Sequence, residues 1–211
     1  MRPGGDGVST RPSMATTARS SARRERLLAI ALDLFTHHGV RRTSIEDIAE
    51  TAKIAKGSVY LEFRGKDELF RAVAEQVIGE MLAAADAAAA KGGALEERVT
   101  EILCAKFWRL YELVHARPHA RELIETKDAV AADLFRAADD RFARILDRTL
   151  VEAAERDEWR PRRPYTAPEI VAVLLRTAHG TSYGGPRLGA AAFRRRVRLA
   201  VGLILDGAAR A

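Results

Sequence analysis

From Ala22 onward apolar residues recur at spacings of three and four, and no stretch reads convincingly as an apolar–polar alternation. That period lays one apolar stripe along a helix and leaves nothing for a half-buried sheet. The chain is therefore expected to be all-α. Glycine and proline divide it into helices at about 22–39, 44–52, 56–63, 66–90 and 94–116, a short one after Pro118, then 129–157, 167–183 and 190–209. The stripe Leu134, Phe135, Phe142, Ile145, Leu146 and Leu150 is the clearest of them. Residues 1–21, rich in Gly, Pro, Ser, Thr and Arg without a period, are expected to form a disordered basic arm, shorter if Met14 is the natural start.

Composition narrows the class. A chain of 211 residues can bury a real core, and 47% hydrophobic with 30% charged residues is the balance of a globular protein. The single cysteine, Cys104, excludes an internal disulfide and fits a reducing compartment. No run approaches the roughly 20 apolar residues of a membrane span, and the N-terminus has no apolar signal core, so no membrane partner and a cytoplasmic location are expected. Of the net charge of +6, most sits early: residues 1–66 hold 12 Lys/Arg against 7 Asp/Glu, whereas 67–211 hold 23 against 22. That asymmetry suits a polyanionic partner for the first third alone, although a basic tail also serves solubility.

The same third carries a helix, a short capped helix, a three-residue link and a second short helix, the layout of a helix-turn-helix. Thr43 with Glu46, or Ser44 with Asp47, gives the capping-box spacing ahead of Ile45, Ile48 and Ala49. Lys53-Ile54-Ala55 forms the link. Ile45, Ile48, Ile54 and Val59 are expected to fix the angle between the short helices, while Lys56, Ser58 and Tyr60 point outward. Gly57 removes a side chain where backbone would approach phosphate, and Lys66 opens the fourth helix as a phosphate clamp.

The runs Thr43-Ser44-Ile45-Glu46-Asp47-Ile48-Ala49, Ala52 through Tyr60, Phe63 and Lys66-Asp67-Glu68-Leu69 together resemble the TetR family of one-component repressors over about residues 22–72. The resemblance implies a homodimeric repressor that binds a near-palindromic double-stranded operator and lets go when a small-molecule effector enters its C-terminal domain. It assigns DNA contact to Thr43, Ser44, Lys56, Gly57, Ser58, Tyr60 and Lys66. The family commonly has Gly where Lys53 stands, Ser where Ala55 stands, and His-Tyr where Leu61-Glu62 stands, the tyrosine usually contacting phosphate. A carboxylate at 62 would repel phosphate.

The organisation expected is thus a three-helix DNA-binding domain at 22–66 and a six-helix ligand-binding and dimerisation domain at 67–211, joined by the fourth helix. Lys106 falls on an apolar helix face with Leu95, Val99, Ile102, Leu110 and Leu113, and either snorkels or lines a pocket with Phe107, Tyr111, Phe135 and Phe142. In the last two helices Ile170, Leu174, Ala178, Val197, Val201 and Ile204 are expected at a dimer interface, because apolar residues there spread over more than one face. His115 and His119 have metal-pair spacing, but Pro118 lies between them, and no metal or cofactor is expected. Arg194-Arg195-Arg196 and Arg198 read as a solvated face, Cys104 as core filler, and Arg11, Arg19, Arg23 and Arg24 as mobile screens of phosphate or minor-groove probes. There is no nucleophile elbow, Gly-rich phosphate loop, HExxH or CxxC, so an enzyme is not expected. A helical DNA-binding or interaction protein without small-molecule control remains the alternative.

Overall fold

The computed structural model describes residues 14–116, 119, 121–182 and 187–209. Within them lie α1 (Met14–His38), α2 (Ile45–Ala52), α3 (Lys56–Tyr60), α4 (Lys66–Ala90), α5 (Leu95–Ala116), α6 (Arg121–Val130), α7 (Ala132–Glu155), α8 (Ala167–Ser182) and α9 (Ala190–Ala208). Apart from these helices the regular structure among the described residues is one isolated bridge, Pro161 to Ala209.

Three boundaries differ from expectation. The first helix starts at Met14, so part of the expected arm is helical; residues 1–13 lie outside the described residues. No Gly or Pro falls between Met14 and His38, and Ala and Arg extend a helix readily once Leu27, Ala31 and Phe35 have nucleated it in the core. α3 stops at Tyr60 because the chain turns to drop Phe63 into the core, where it is 1% exposed. The break between α6 and α7 falls at Ala131, whose methyl is fully buried and whose backbone leaves helical geometry.

Two apolar clusters organise the chain. One joins Leu27, Phe35, Ile48, Val59, Phe63, Leu69, Phe70 and Val73 with Ala131 of the distant α6–α7 joint. The other packs Val99, Ile102 and Leu103 of α5 against Phe142, Leu146 and Leu150 of α7, Leu174 of α8, and Phe193, Val197 and Val201 of α9. α4 serves both, its first two turns in the N-terminal cluster and Val77 through Ala85 in the C-terminal one. Leu32, Leu134 and Phe135 pack against both clusters, so the two units share a wall.

Polar ties fix the periphery. Arg98, buried on α5, pairs with Glu158, and the Trp159 indole N–H donates to the Leu205 carbonyl at 3.0 Å, pinning the loop after α7 to α9. Arg194 reaches Glu101 at 2.7 Å and Arg198 reaches Glu96 at 2.7 Å, so these two arginines brace α9 on α5, while Arg195 and Arg196 stay exposed. Cys104 is half-buried; desolvation, then the nearby Glu101 charge, push its thiol up to about 12, which leaves it inert near neutral pH. Among the described residues no helix is long and apolar enough to cross a membrane.

Candidate nucleic-acid interface and ligand cavity

Of the two capping boxes the sequence permits, Ser44 with Asp47 forms: the Asp47 N–H donates to Ser44 Oγ at 3.1 Å and the Ser44 N–H to the Asp47 carboxylate at 2.8 Å. Those bonds hold the Asp47 carboxyl below its ordinary value. α2 ends on Lys53 in the left-handed region (φ 56°), where its N–H reaches the carbonyls of Ala49 and Glu50. This is the geometry that glycine adopts freely and a lysine adopts at a cost. Ala55 then starts α3 with extended backbone and no side-chain cap. Val59 is fully buried and Ile54 partly so, which sets α3 across α2 as the apolar pattern required.

α3 presents Lys56 and Tyr60 outward, one turn apart, with the ammonium 5.7 Å from the ring centroid. Lys56 also pairs with Glu46 of α2, which raises the lysine and lowers the glutamate. Ser58 is half-buried. A Cβ added at Gly57 would meet nothing within 4 Å, so no protein neighbour demands glycine there. Leu61, assigned no contact from the sequence, is 84% exposed beside Tyr60. Its only signal was an apolar residue off the Val59–Phe63 core positions.

Two expected contacts, Thr43 and Lys66, and the carboxylate expected to face phosphate, Glu62, are placed otherwise. Thr43 is 2% exposed and its hydroxyl donates to the Gly39 carbonyl at 2.9 Å, so it holds the α1–α2 joint rather than facing out. The Lys66 ammonium donates to the carbonyls of Val40 (3.0 Å) and Arg41 (3.3 Å), satisfying α1–α2 loop groups that have no helical partner. Glu62 does not stand open toward a phosphate: its side chain is 14% exposed and accepts from Arg23 of α1. The Arg24 guanidinium lies 4.5 Å above the Phe63 ring. Two of the arginines expected to be mobile thus fasten α1 to the end of α3; Arg11 and the Arg19 side chain lie outside the described residues.

In the C-terminal unit a cavity of about 110 Å³ is lined by Lys106, Phe107, Tyr111, His115, Lys127, Phe135, Asp139 and His179, among others. Lys106 neither lies open nor snorkels unpaired. It is 8% exposed, bonded to Asp139 at 2.8 Å and set 5.0 Å and 5.1 Å from the Phe107 and Phe142 ring centroids. Phe142 is core behind that lysine, 1% exposed, rather than cavity wall. Tyr111 stacks on His115 at 4.1 Å and its hydroxyl accepts from the Leu188 N–H at 2.7 Å. His115 and His119 serve different partners, the Tyr111 carbonyl and Arg42.

A connection between the two units was not legible in the sequence. The Arg41 N–H donates to the Glu122 carboxylate at 3.3 Å, Arg41 pairs with Glu125 at 3.6 Å, and Arg42 meets His119 at 2.7 Å. Gly39, at φ +89°, is packed so closely that a Cβ there would stand 2.6 Å from the Glu122 carboxylate. On α4, Arg71 makes a two-pronged bond to Asp133 of α7, both at 2.8 Å.

The expected dimer residues face inward. Ile170, Leu174, Ala178, Val197 and Val201 are all 4% exposed or less, filling the subunit's own core, and Ile204 is half-buried. The opposite faces of α8 and α9 carry the exposed apolar residues Val173, Leu199 and Leu203. Of the residues expected at an interface, Ile204 alone is partly exposed.

Residues 27–73 match the family model described as bacterial regulatory proteins, tetR family, a span that ends where α4 leaves the N-terminal cluster. Relatives include the HTH-type transcriptional repressor KstR2 of Rhodococcus jostii (strain RHA1), 39% identical over 75 residues, or 34% of this chain and 37% of that protein. The HTH-type transcriptional regulator AcrR of Shigella flexneri is 35% identical over 69 residues, 31% of this chain and 32% of that one. These matches thus span about a third of the relatives' length. Among solved structures, a TetR-family transcriptional regulator from Mesorhizobium loti MAFF303099 superposes with TM-score 0.72 at 18% identity, over 91% of this chain and 99% of that one. KstR2 of Mycobacterium tuberculosis gives 0.57 at 21% identity, over 90% and 96%. The shared architecture therefore extends through the C-terminal helices, where sequence likeness is low.

Proposed function

We propose that this chain, a member of the tetR family of bacterial regulatory proteins through residues 27–73, is a ligand-responsive DNA-binding transcriptional regulator that acts as a repressor. The observation that carries the reading is the capped α2–turn–α3 unit, with Lys56 and Tyr60 outward, joined by the continuous α4 to a domain that holds a cavity. A helix of this exposure fits the major groove. Gly57, with open space on its Cβ side, lets a sugar–phosphate strand approach α3 closely. Lys56 and Tyr60 contact phosphate and base edges, with Ser44 and Ser58 beside them; Thr43 and Lys66 shape the joint that positions them.

The protein works as a homodimer in the cytoplasm on a near-palindromic duplex, paired through the outward faces of α8 and α9. The Val173, Leu199 and Leu203 side chains supply the apolar surface for that pairing. A small molecule in the cavity shifts the DNA-binding unit through α6 and α4.

Selection from a random duplex library, followed by anisotropy titration over a salt series, tests this. A twofold-symmetric site and a log–log salt slope of several units are expected, and Lys56→Ala should reduce that slope by about 0.9. Failure to select any duplex would overturn the proposal.

A further inference from the structure

Among the described residues of the N-terminal unit, the large apolar side chains left exposed are two neighbours at the end of α3: Tyr60, 45% exposed, and Leu61, 84% exposed. Folding does not require an apolar residue at 61, since Val59 and Phe63 on either side already fill the core positions. Leu61 is held in place all the same. Its backbone keeps helical geometry (φ −69°, ψ −25°) and its N–H donates to the Gly57 carbonyl at 3.1 Å, so its side chain lies one turn beyond Gly57 on the same row. Gly57 adds no side chain to that row, and its Cβ side is open. Lys56 and Tyr60 form the adjacent row.

The chemistry of this face is narrow. α3 and its two caps contain no amide, guanidinium or carboxylate side chain, the groups that pair with adenine, guanine and cytosine edges. Glu62, the next residue, is turned to Arg23, and Lys56 is engaged by Glu46. An exposed leucine in that setting matches the apolar feature of the major groove, the C5-methyl of thymine. We infer that Leu61 is a specificity-determining residue that reads a thymine methyl in each half-site of the operator. This rests on the regulator reading proposed above and deepens it: thymine is preferred to cytosine at that position through apolar contact rather than a hydrogen bond. The bare backbone at Gly57 lets α3 sink toward the base edges, and Leu61, one turn on, is the side chain that meets them.

The test starts from a duplex selected from the random library and replaces each thymine in turn by deoxyuridine, which removes the methyl and leaves base pairing intact. Anisotropy titration of the full chain should find one thymine per half-site whose methyl is worth about fourfold in affinity, roughly fifteenfold when both half-sites are changed. Leu61→Ala should bind the thymine and deoxyuridine duplexes alike. Its melting temperature and salt slope should be those of the parent, as expected of an exposed side chain that contacts no phosphate. A C·G pair placed at that position should regain about fourfold on C5-methylation of its cytosine in the parent, and nothing in Leu61→Ala. A methyl effect that persists in Leu61→Ala, or a duplex with no methyl-sensitive thymine, overturns this inference alone and leaves the regulator reading standing. A salt slope lowered in Leu61→Ala would make position 61 a backbone contact and overturn it equally. If no duplex is selected, the regulator reading fails first and this inference with it.

Discussion

Lys56 is held by its own protein before any partner arrives. Glu46 pairs with it from the preceding helix and raises its pKa, so a phosphate must displace a carboxylate to use that ammonium. Both groups are exposed, and the pair is worth little to stability. Glu46→Gln should therefore tighten binding to unrelated duplexes by roughly two- to fivefold with the melting temperature unchanged; unchanged anisotropy isotherms would remove Lys56 from the phosphate contacts. Position 62 behaves differently from what a carboxylate beside DNA suggests. Glu62 is bonded to Arg23 across 39 residues of chain, and the structure makes it a brace between α1 and the end of α3.

Each short helix of the DNA-binding unit departs from its best local chemistry. Ala55→Ser places an acceptor on a residue already in extended, cap-like geometry (φ −66°, ψ 140°) and should stabilise the protein by about 1 kcal/mol. Thermal melts read this directly; no gain would mean that α3 is held by Val59 and Phe63 alone. α6 has the opposite character, a short helix with two assignments. Lys127 lines the cavity, while Glu122 and Glu125 grip the α1–α2 loop through Arg41. Replacing both Glu122 and Glu125 with Gln should leave ligand affinity within twofold yet shrink the ligand's effect on DNA affinity, which for such coupling is typically about 5–150-fold. Full coupling in that variant would assign transmission to α4 instead.

At the scale of the whole molecule, the proposed pairing face of α8 and α9 and the Arg71–Asp133 bond between α4 and α7 each carry a prediction. Leu203 is 68% exposed on α9, so Leu203→Arg leaves the subunit core intact. It should convert a dimer into a folded monomer in sedimentation, with unchanged helical circular dichroism and lost affinity for a two-site operator. A dimer unaffected by the change would place the interface elsewhere. Arg71 holds the Asp133 carboxyl well below the ordinary carboxylate range and is itself raised. The stability this pair adds is fully present above Asp133's ordinary pKa of about 4 and is lost as pH falls through its depressed value. Asp133→Asn should remove that part of the acid dependence, so the variant and the parent should converge in melting temperature as the pH is lowered.

The helices, the capped helix-turn-helix and the missing cap at Ala55 were readable along the chain, because caps, turns and apolar periods act between residues at most a few positions apart. Thr43 and Lys66 show where that reading stopped. Their types suited a phosphate, yet the Thr43 hydroxyl and the Lys66 ammonium go to carbonyls of the α1–α2 joint, which only the crossing of α1, α2 and α4 brings within reach. The same holds for the residues expected at a dimer interface: which face of α8 and α9 turns inward depends on how these helices lie on α5 and α7. The join of Arg41 and Arg42 to α6, and the cavity lined by Lys106, Lys127 and His179, unite residues from distant parts of the chain. A single sequence carries no period or spacing for contacts of that range, so tertiary packing alone determined them.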